Sequence, residues 1–248
     1  AVAVNSATSA LHLACLALGV GTGDLVWTSP ISFVASANCA RYCGADVDFV
    51  DVDSSSGLMC IRALTDKLQQ AKAAGRLPNV IIPVHLAGHS CDMQAIHAVC
   101  APLGIRIIED ASHAIGGSYQ GGKIGNCQFS DITVFSFHPV KIITTAEGGM
   151  ALTNDDGLAH RMSLLRSHGI TRDPAHMTRL SDGPWYYQQI ELGYNYRMTE
   201  LQAALGLSQV QRLDAYVARR HELSKRYDHF LRDLPLTTPW QHPDGYSG

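Results

Sequence analysis

The sequence has 248 residues, 46% hydrophobic and 17% charged, with a formal net charge of -3. Those proportions fit an ordinary globular chain of one or two domains with a sizeable core. The faintly acidic balance, without a basic block, gives no support for nucleic-acid binding, and no apolar run reaches the ~18 residues that a membrane span needs.

Asn5-Ser-Ala-Thr-Ser9 precedes an apolar run at 10–18 that reads as a helix stopped by Gly19. Residues 25–28 form a short strand ended by Ser29-Pro30, 33–43 a helix, and 46–51 an alternating strand. A helix at 63–74, a strand at 80–84, a helix at 93–103 and an apolar strand at 105–108 follow. Strands are expected at 132–137 and 150–153, then a helix at 156–167 closed by His168-Gly169. A polar, irregular stretch covers 170–195, and 199–234 is continuously helical in pattern. Repeated strand–helix alternation argues for an α/β fold with a mostly parallel sheet.

Seven cysteines are scattered without a Cys-x-x-Cys pair, mostly in apolar contexts, as buried free thiols are. A reducing cytoplasm is the expected location. His85-x3-His89-x-Cys91 has the outline of metal spacing but lacks a second ligand pair, so no metal is expected.

Lys141 lies between an apolar strand and the turn Thr145-Ala-Glu-Gly-Gly149, among apolar and small neighbours. It is either a solvated charge or an amine held in a site, where desolvation lowers its pKa and makes it nucleophilic. Asp110 follows a buried strand, where open α/β sheets bind ligands. It would serve as a helix cap or as the partner of a ring nitrogen. The strand period places only one of Glu109 and Asp110 on the site face, and Asp110 lies nearer the loop.

The Asn5–Ser9 turn, with Ser6, Ala7 and Thr8, reads as an N-cap or as a phosphate cradle built on a helix N-terminus. Ser136 would be a second phosphate ligand or a strand-end hydroxyl, and Phe33 a core residue or a side chain stacked on a flat ring. A lysine amine, a carboxylate for a ring nitrogen and an anion cradle are the parts that pyridoxal phosphate (PLP) requires. The first strand lacks a following Gly-x-Gly-x-x-Gly, which disfavours a nicotinamide enzyme.

In this order the segments Asn5-Ser-Ala-Thr-Ser-Ala10, Ser29-Pro-Ile-Ser-Phe33, Glu109-Asp-Ala-Ser-His113, Ser136-Phe-His-Pro-Val-Lys141, Glu147-Gly-Gly149 and Gly193-Tyr-Asn-Tyr-Arg-Met198 resemble the DegT/StrS family of PLP-dependent sugar aminotransferases. The resemblance implies the aspartate-aminotransferase-like fold, a three-layer large domain over 1–235 clipped at its N-terminus, and the start of a truncated small domain at 236–248. It implies Lys141 as covalent anchor and proton shuttle, and Asp110 as partner of the pyridine nitrogen. The Ala7-Thr8 turn and Ser136 would hold the phosphate with Ser6 nearby, Phe33 would stack on the ring, and His113 would lie near the phenolic oxygen. Asn195 resembles the asparagine that reaches the phosphate from the neighbouring subunit of a homodimer. Some relatives carry histidine at the lysine position and act as dehydratases, so Lys141 favours transamination.

Finer similarity, in 138–149 and 185–202, points to the branch that aminates a UDP-linked 4-keto-6-deoxy-N-acetylhexosamine with glutamate in pseudaminic acid biosynthesis. The alternatives are another nucleotide-sugar substrate, such as the UDP-4-keto-pentose of the 4-amino-arabinose pathway, and a PLP-binding remnant without turnover.

Overall fold

A computed structural model describes residues 1–179, 181–241 and 245–248. The elements, in chain order, are β1 (Val2–Val4), α1 (Ala7–Ala17), β2 (Leu25–Thr28), α2 (Ala35–Tyr42), β3 (Asp46–Phe49), α3 (Ile61–Ala73), β4 (Val80–Ile82), α4 (Met93–Cys100) and β5 (Arg106–Asp110). Then come the small strands β6 (Ser118–Tyr119) and β7 (Gly122–Lys123), followed by β8 (Ile132–Ser136), β9 (Gly149–Leu152) and α5 (Asp156–Arg166). The short pair β10 (Ile170–Thr171) and β11 (Gln188–Gln189) precedes α6 (Glu200–Val210), α7 (Leu213–Leu231) and β12 (Gly245–Tyr246).

The central sheet has seven strands in the order β1-β9-β8-β5-β4-β2-β3. Strands β8, β5, β4, β2 and β3 run parallel, and only β9 points against the rest, since β1 is antiparallel to β9 in turn. Strand periodicity divides the sheet residues between two cores. Ile82 and Ile108 pack with residues of α1, α2 and α5, whereas Ile81 and Ile107 pack with residues of α3 and α4. Because successive side chains point to opposite faces, a strand buried on both sides reads as an unbroken apolar run. The chain is therefore a three-layer α/β/α structure with a mostly parallel sheet.

Several expected bounds shift for local reasons. Helix α1 starts at Ala7, not at residue 10, because the Ser6 hydroxyl caps it by accepting the Ser9 N–H at 3.1 Å. Helix α2 starts at Ala35, which leaves Phe33 and Val34 ahead of it and exposed. Strand β5 runs on to Asp110, so both acidic residues lie within it. The helix expected at 199–234 breaks between α6 and α7 at residues 211–212, where Arg212 leaves helical geometry. The irregular stretch at 170–195 holds β10 and β11; Leu180 lies outside the described residues. Of the segment 236–248, residues 242–244 also lie outside them, and β12 pairs antiparallel with β6. All seven cysteines are free. No helix among the described residues is long and apolar enough to cross a membrane.

Candidate active site

At the C-terminal ends of β5 and β8 lies a cleft of about 230 Å3, lined by Ser6, Ala7 and Thr8 from α1, Ser32 and Phe33 from the loop after β2, and Asp110, His113, Ser136 and Lys141. This is where parallel α/β sheets place ligands, because the loops that leave the strand ends diverge there. Eight of the nine expected site residues thus line one cleft. The ninth, Asn195, lies outside it, exposed, and bridges Ser167 on the backbone.

The α1 end of the cleft presents backbone donors. The first intrahelical bond runs from the Ala10 N–H to the Ser6 carbonyl at 3.1 Å, so the N–H groups of Ala7 and Thr8 precede it and keep their donors for a ligand. Ser6 is spent on capping: its hydroxyl takes the Ser9 N–H, and the Ser9 hydroxyl donates to Asn5 Oδ1 at 2.7 Å. The N-cap reading of this turn holds, and the cap leaves the Ala7 and Thr8 N–H groups facing the cleft end of the helix. Gly149 at the start of β9 makes the arrangement possible, since a Cβ there would stand 2.5 Å from the Ala7 nitrogen and 2.7 Å from the Ser6 carbonyl carbon. Ser136, buried at the end of β8, lines the same cleft.

Asp110 is buried, and its carboxylate is tightly held. Oδ2 accepts the Ser36 hydroxyl at 2.6 Å, while Oδ1 accepts the Ser112 hydroxyl at 2.6 Å and the Ser112 N–H at 3.2 Å. The helix-cap reading of Asp110 is not met, because β5 leads into turns and not into a helix; Ser112 instead closes a turn onto the carboxylate and fixes it. Glu109 faces the other side of the sheet, where its Oε2 meets the buried His85 Nε2 at 2.8 Å and its Oε1 accepts the Thr133 hydroxyl at 3.0 Å. Burial opposes ionisation of Glu109, but His85 and the Ser130 and Thr133 hydroxyls outweigh it and hold the carboxyl below the usual range. His85, the first residue of the metal-like spacing, is thereby engaged with a carboxylate.

The loop between β8 and β9 presents Lys141. Its ends are tied by Phe137 N–H to the Gly148 carbonyl at 2.9 Å and Thr145 N–H to the Phe137 carbonyl at 3.0 Å, and Lys141 N–H closes a turn onto the His138 carbonyl at 2.9 Å. Partial burial lowers the pKa of the Lys141 amine below that of an ordinary lysine, and the Asp110 charge opposes this only in part. His113 is lowered as well, by burial first and then by Lys141, with Asp110 opposing. Its Nδ1 accepts the Ala87 N–H at 3.3 Å, which leaves the other ring nitrogen as the protonated one. Phe33 is 73% exposed on the rim, so its reading as a core residue is wrong. A ring at the rim is free to cover a ligand.

The sequence reading missed Ser32, Ser36, His138 and Glu147. The last two line the mouth of the cleft, with His138 Nε2 3.8 Å from Glu147 Oε1. Only the proximity of His138 and Glu147 to Lys141 hinted at them; a lone serine in a helix pattern, such as Ser36, carries no such hint.

Residues 1–246 match the DegT/DnrJ/EryC1/StrS aminotransferase family. The chain is 41% identical over 246 residues to the spore coat polysaccharide biosynthesis protein SpsC of Bacillus subtilis, covering 99% of this chain and 61% of the relative. It is 40% identical over 227 residues to a UDP-4-amino-4,6-dideoxy-N-acetyl-beta-L-altrosamine transaminase of Campylobacter jejuni (91% and 56% covered). It is also 41% identical over 237 residues to the GDP-perosamine synthase of Caulobacter vibrioides (94% and 58% covered). Among solved structures, a DegT DnrJ EryC1 StrS aminotransferase from Brucella abortus superposes with a TM-score of 0.88 at 30% identity, covering 99% of this chain and 62% of the other. A sugar aminotransferase from Streptococcus pneumoniae in its PLP-form gives a TM-score of 0.84 at 30% identity, with 99% and 64% covered. The chain spans about three-fifths of the length of these relatives.

Proposed function

Because the chain belongs to the DegT/DnrJ/EryC1/StrS aminotransferase family, we propose that it works with PLP to move an amino group from glutamate to the keto carbon of a nucleotide-linked sugar. The observation that carries this reading is the convergence of Lys141, Asp110 and the free N–H groups of α1 on one cleft. These residues fit the cofactor: a cationic or nucleophilic amine, a buried carboxylate in the lining, and a helix N-terminus kept open by a glycine that tolerates no side chain. Bound there, PLP would supply an electron sink for deprotonation of the amino-bearing carbon.

Lys141 would anchor the cofactor covalently and, once released by the donor, move a proton between substrate atoms. Its lowered pKa keeps a larger share of the amine unprotonated near neutral pH than an ordinary lysine has. Asp110 would accept a ring N–H and so hold that nitrogen protonated. Ala7, Thr8 and Ser136 would hold the phosphate, with Ser6 fixing the helix end. His113, neutral in this setting, would donate to the ring's phenolic oxygen, and Phe33 would cover the ring face and exclude water.

A second copy of the chain would complete the site through Asn195. Asn195 is exposed and lies outside its own cleft, and large apolar side chains stand exposed on the same protein: Val140 (74%), Leu192 (78%) and Leu201 (86%).

Within the family, the favoured substrate is a UDP-linked 4-keto-6-deoxy-N-acetylhexosamine, supported by the likeness to the altrosamine transaminase. The equal likeness to GDP-perosamine synthase supports a GDP-linked sugar as the second reading. Incubation with PLP, glutamate and each 4-keto sugar nucleotide, followed by mass spectrometry, separates them. An amino product from the UDP sugar alone supports the first, from the GDP sugar alone the second. Cofactor binding without any amino product would mean a binding module rather than an enzyme.

A further inference from the structure

Asp110 is held by a line of hydroxyls that starts at the cleft and passes through the interior. Ser32 lines the cleft, and its hydroxyl lies 2.7 Å from that of Ser36; Ser36 lies 2.6 Å from Asp110 Oδ2. Ser36 has no exposed surface, and Asp110 is buried with it. An ionised carboxylate only accepts, so the single Ser36 proton is directed to Asp110. Ser36 then has only lone pairs to offer Ser32, so the one Ser32 proton is directed to Ser36 at 2.7 Å or to the Phe33 carbonyl at 3.2 Å, the shorter contact favouring Ser36. The chain therefore has one polarity, from Ser32 through Ser36 to Asp110, and successive hydroxyls so aligned polarise one another. Ser112 fills Oδ1 with two donors, leaving Oδ2, the oxygen shared with Ser36, the one with acceptor capacity to spare.

We propose that Ser36 is a positioning residue of the active site, which fixes the Asp110 carboxylate so that its free acceptor faces the ring nitrogen of the bound cofactor, with Ser32 extending the line of hydroxyls to the cleft. The inference rests on the proposed PLP site. Ser36 sits at the second residue of α2, so the same helix that packs on α1 also orients the carboxylate of β5. Without its proton, Asp110 would keep donors on one oxygen only and would be free to turn about its side-chain torsion.

The test is a double-mutant cycle read by PLP affinity, from the absorbance of the full chain titrated with PLP. Ser36→Ala is expected to weaken PLP binding about 10-fold or more, the scale of one lost hydrogen bond to a charged group. Ser36→Cys keeps the volume but replaces the hydroxyl with a weak donor, and should weaken binding similarly; Ser36→Thr should retain most of the affinity. In an Asp110→Ala background, Ser36→Ala should cost nothing further, because a residue that acts through Asp110 has nothing left to position. A purely structural serine would weaken binding equally in both backgrounds, and that result, or unchanged affinity in Ser36→Ala, would overturn the proposal alone. A wild-type chain that binds no PLP would overturn it together with the site on which it rests.

Discussion

Glu109 and Asp110 are adjacent in β5 and face opposite sides of the sheet: Asp110 lines the cleft, while Glu109 meets the buried His85 at 2.8 Å. One strand thus carries a group for chemistry on one face and a group for stability on the other, and substitutions at the two should fail differently.

Glu109→Ala should lower folding stability by about 3–5 kcal/mol, since removing one member of a buried pair strands the other. Asp110→Asn should cost far less stability, because the amide oxygen still accepts from Ser36 or Ser112, yet should weaken PLP binding strongly. Urea midpoints and PLP titrations of both variants check this; equal losses on both scales would contradict it.

Lys141 gives stability a pH dependence with a fixed sign. Its folded-state pKa is lowered, so between that value and the unfolded value of about 10.4 the unfolded chain binds more protons. Stability of the PLP-free chain, measured against Lys141→Met, should therefore rise with pH through that window. The measurement is the urea midpoint of each protein at several pH values between 7 and about 10.

Gly149→Ala would drive a methyl group into the backbone of Ser6 and Ala7. Displacing the α1 terminus should cost about 1–3 kcal/mol and weaken binding of PLP. Ala146 offers the opposite case. It sits in the left-handed region at φ 65°, where a Cβ costs about 1–2 kcal/mol, part of which glycine's greater unfolded entropy offsets. Ala146→Gly should stabilise the chain by up to about 1 kcal/mol, read as a higher melting temperature.

A shared site predicts complementation between defective subunits. Lys141→Ala and Asn195→Ala should each be impaired alone. Mixed and reassembled, they should recover up to about a quarter of wild-type activity, because half the dimers are mixed and each has one site with both native groups. No recovery would mean that Asn195 does not serve a partner's site.

Much of this architecture was legible in the sequence because the sheet is buried on both faces. Runs such as Ile107-Ile108 and Ile81-Ile82 have no competing reading once helices alternate with them. Lys141, Asp110 and Ser136 stood out because strand ends concentrate ligand groups. Phe33 was ambiguous because an aromatic residue beside a helix start belongs equally to a core or a rim, and only the late start of α2 decided it. Ser36 was invisible for a different reason: its bond to Asp110 joins residues 74 apart in sequence, and local pattern holds no trace of that pairing.

The most direct test of the central claim is chemical trapping at Lys141. The chain is incubated with PLP, reduced with borohydride, digested and mapped by mass spectrometry. The expected result is a visible absorption band before reduction and a single labelled peptide carrying the cofactor on Lys141, both absent from Lys141→Ala. A chain that stays colourless, or a label spread over the surface lysines and unchanged in Lys141→Ala, would contradict it.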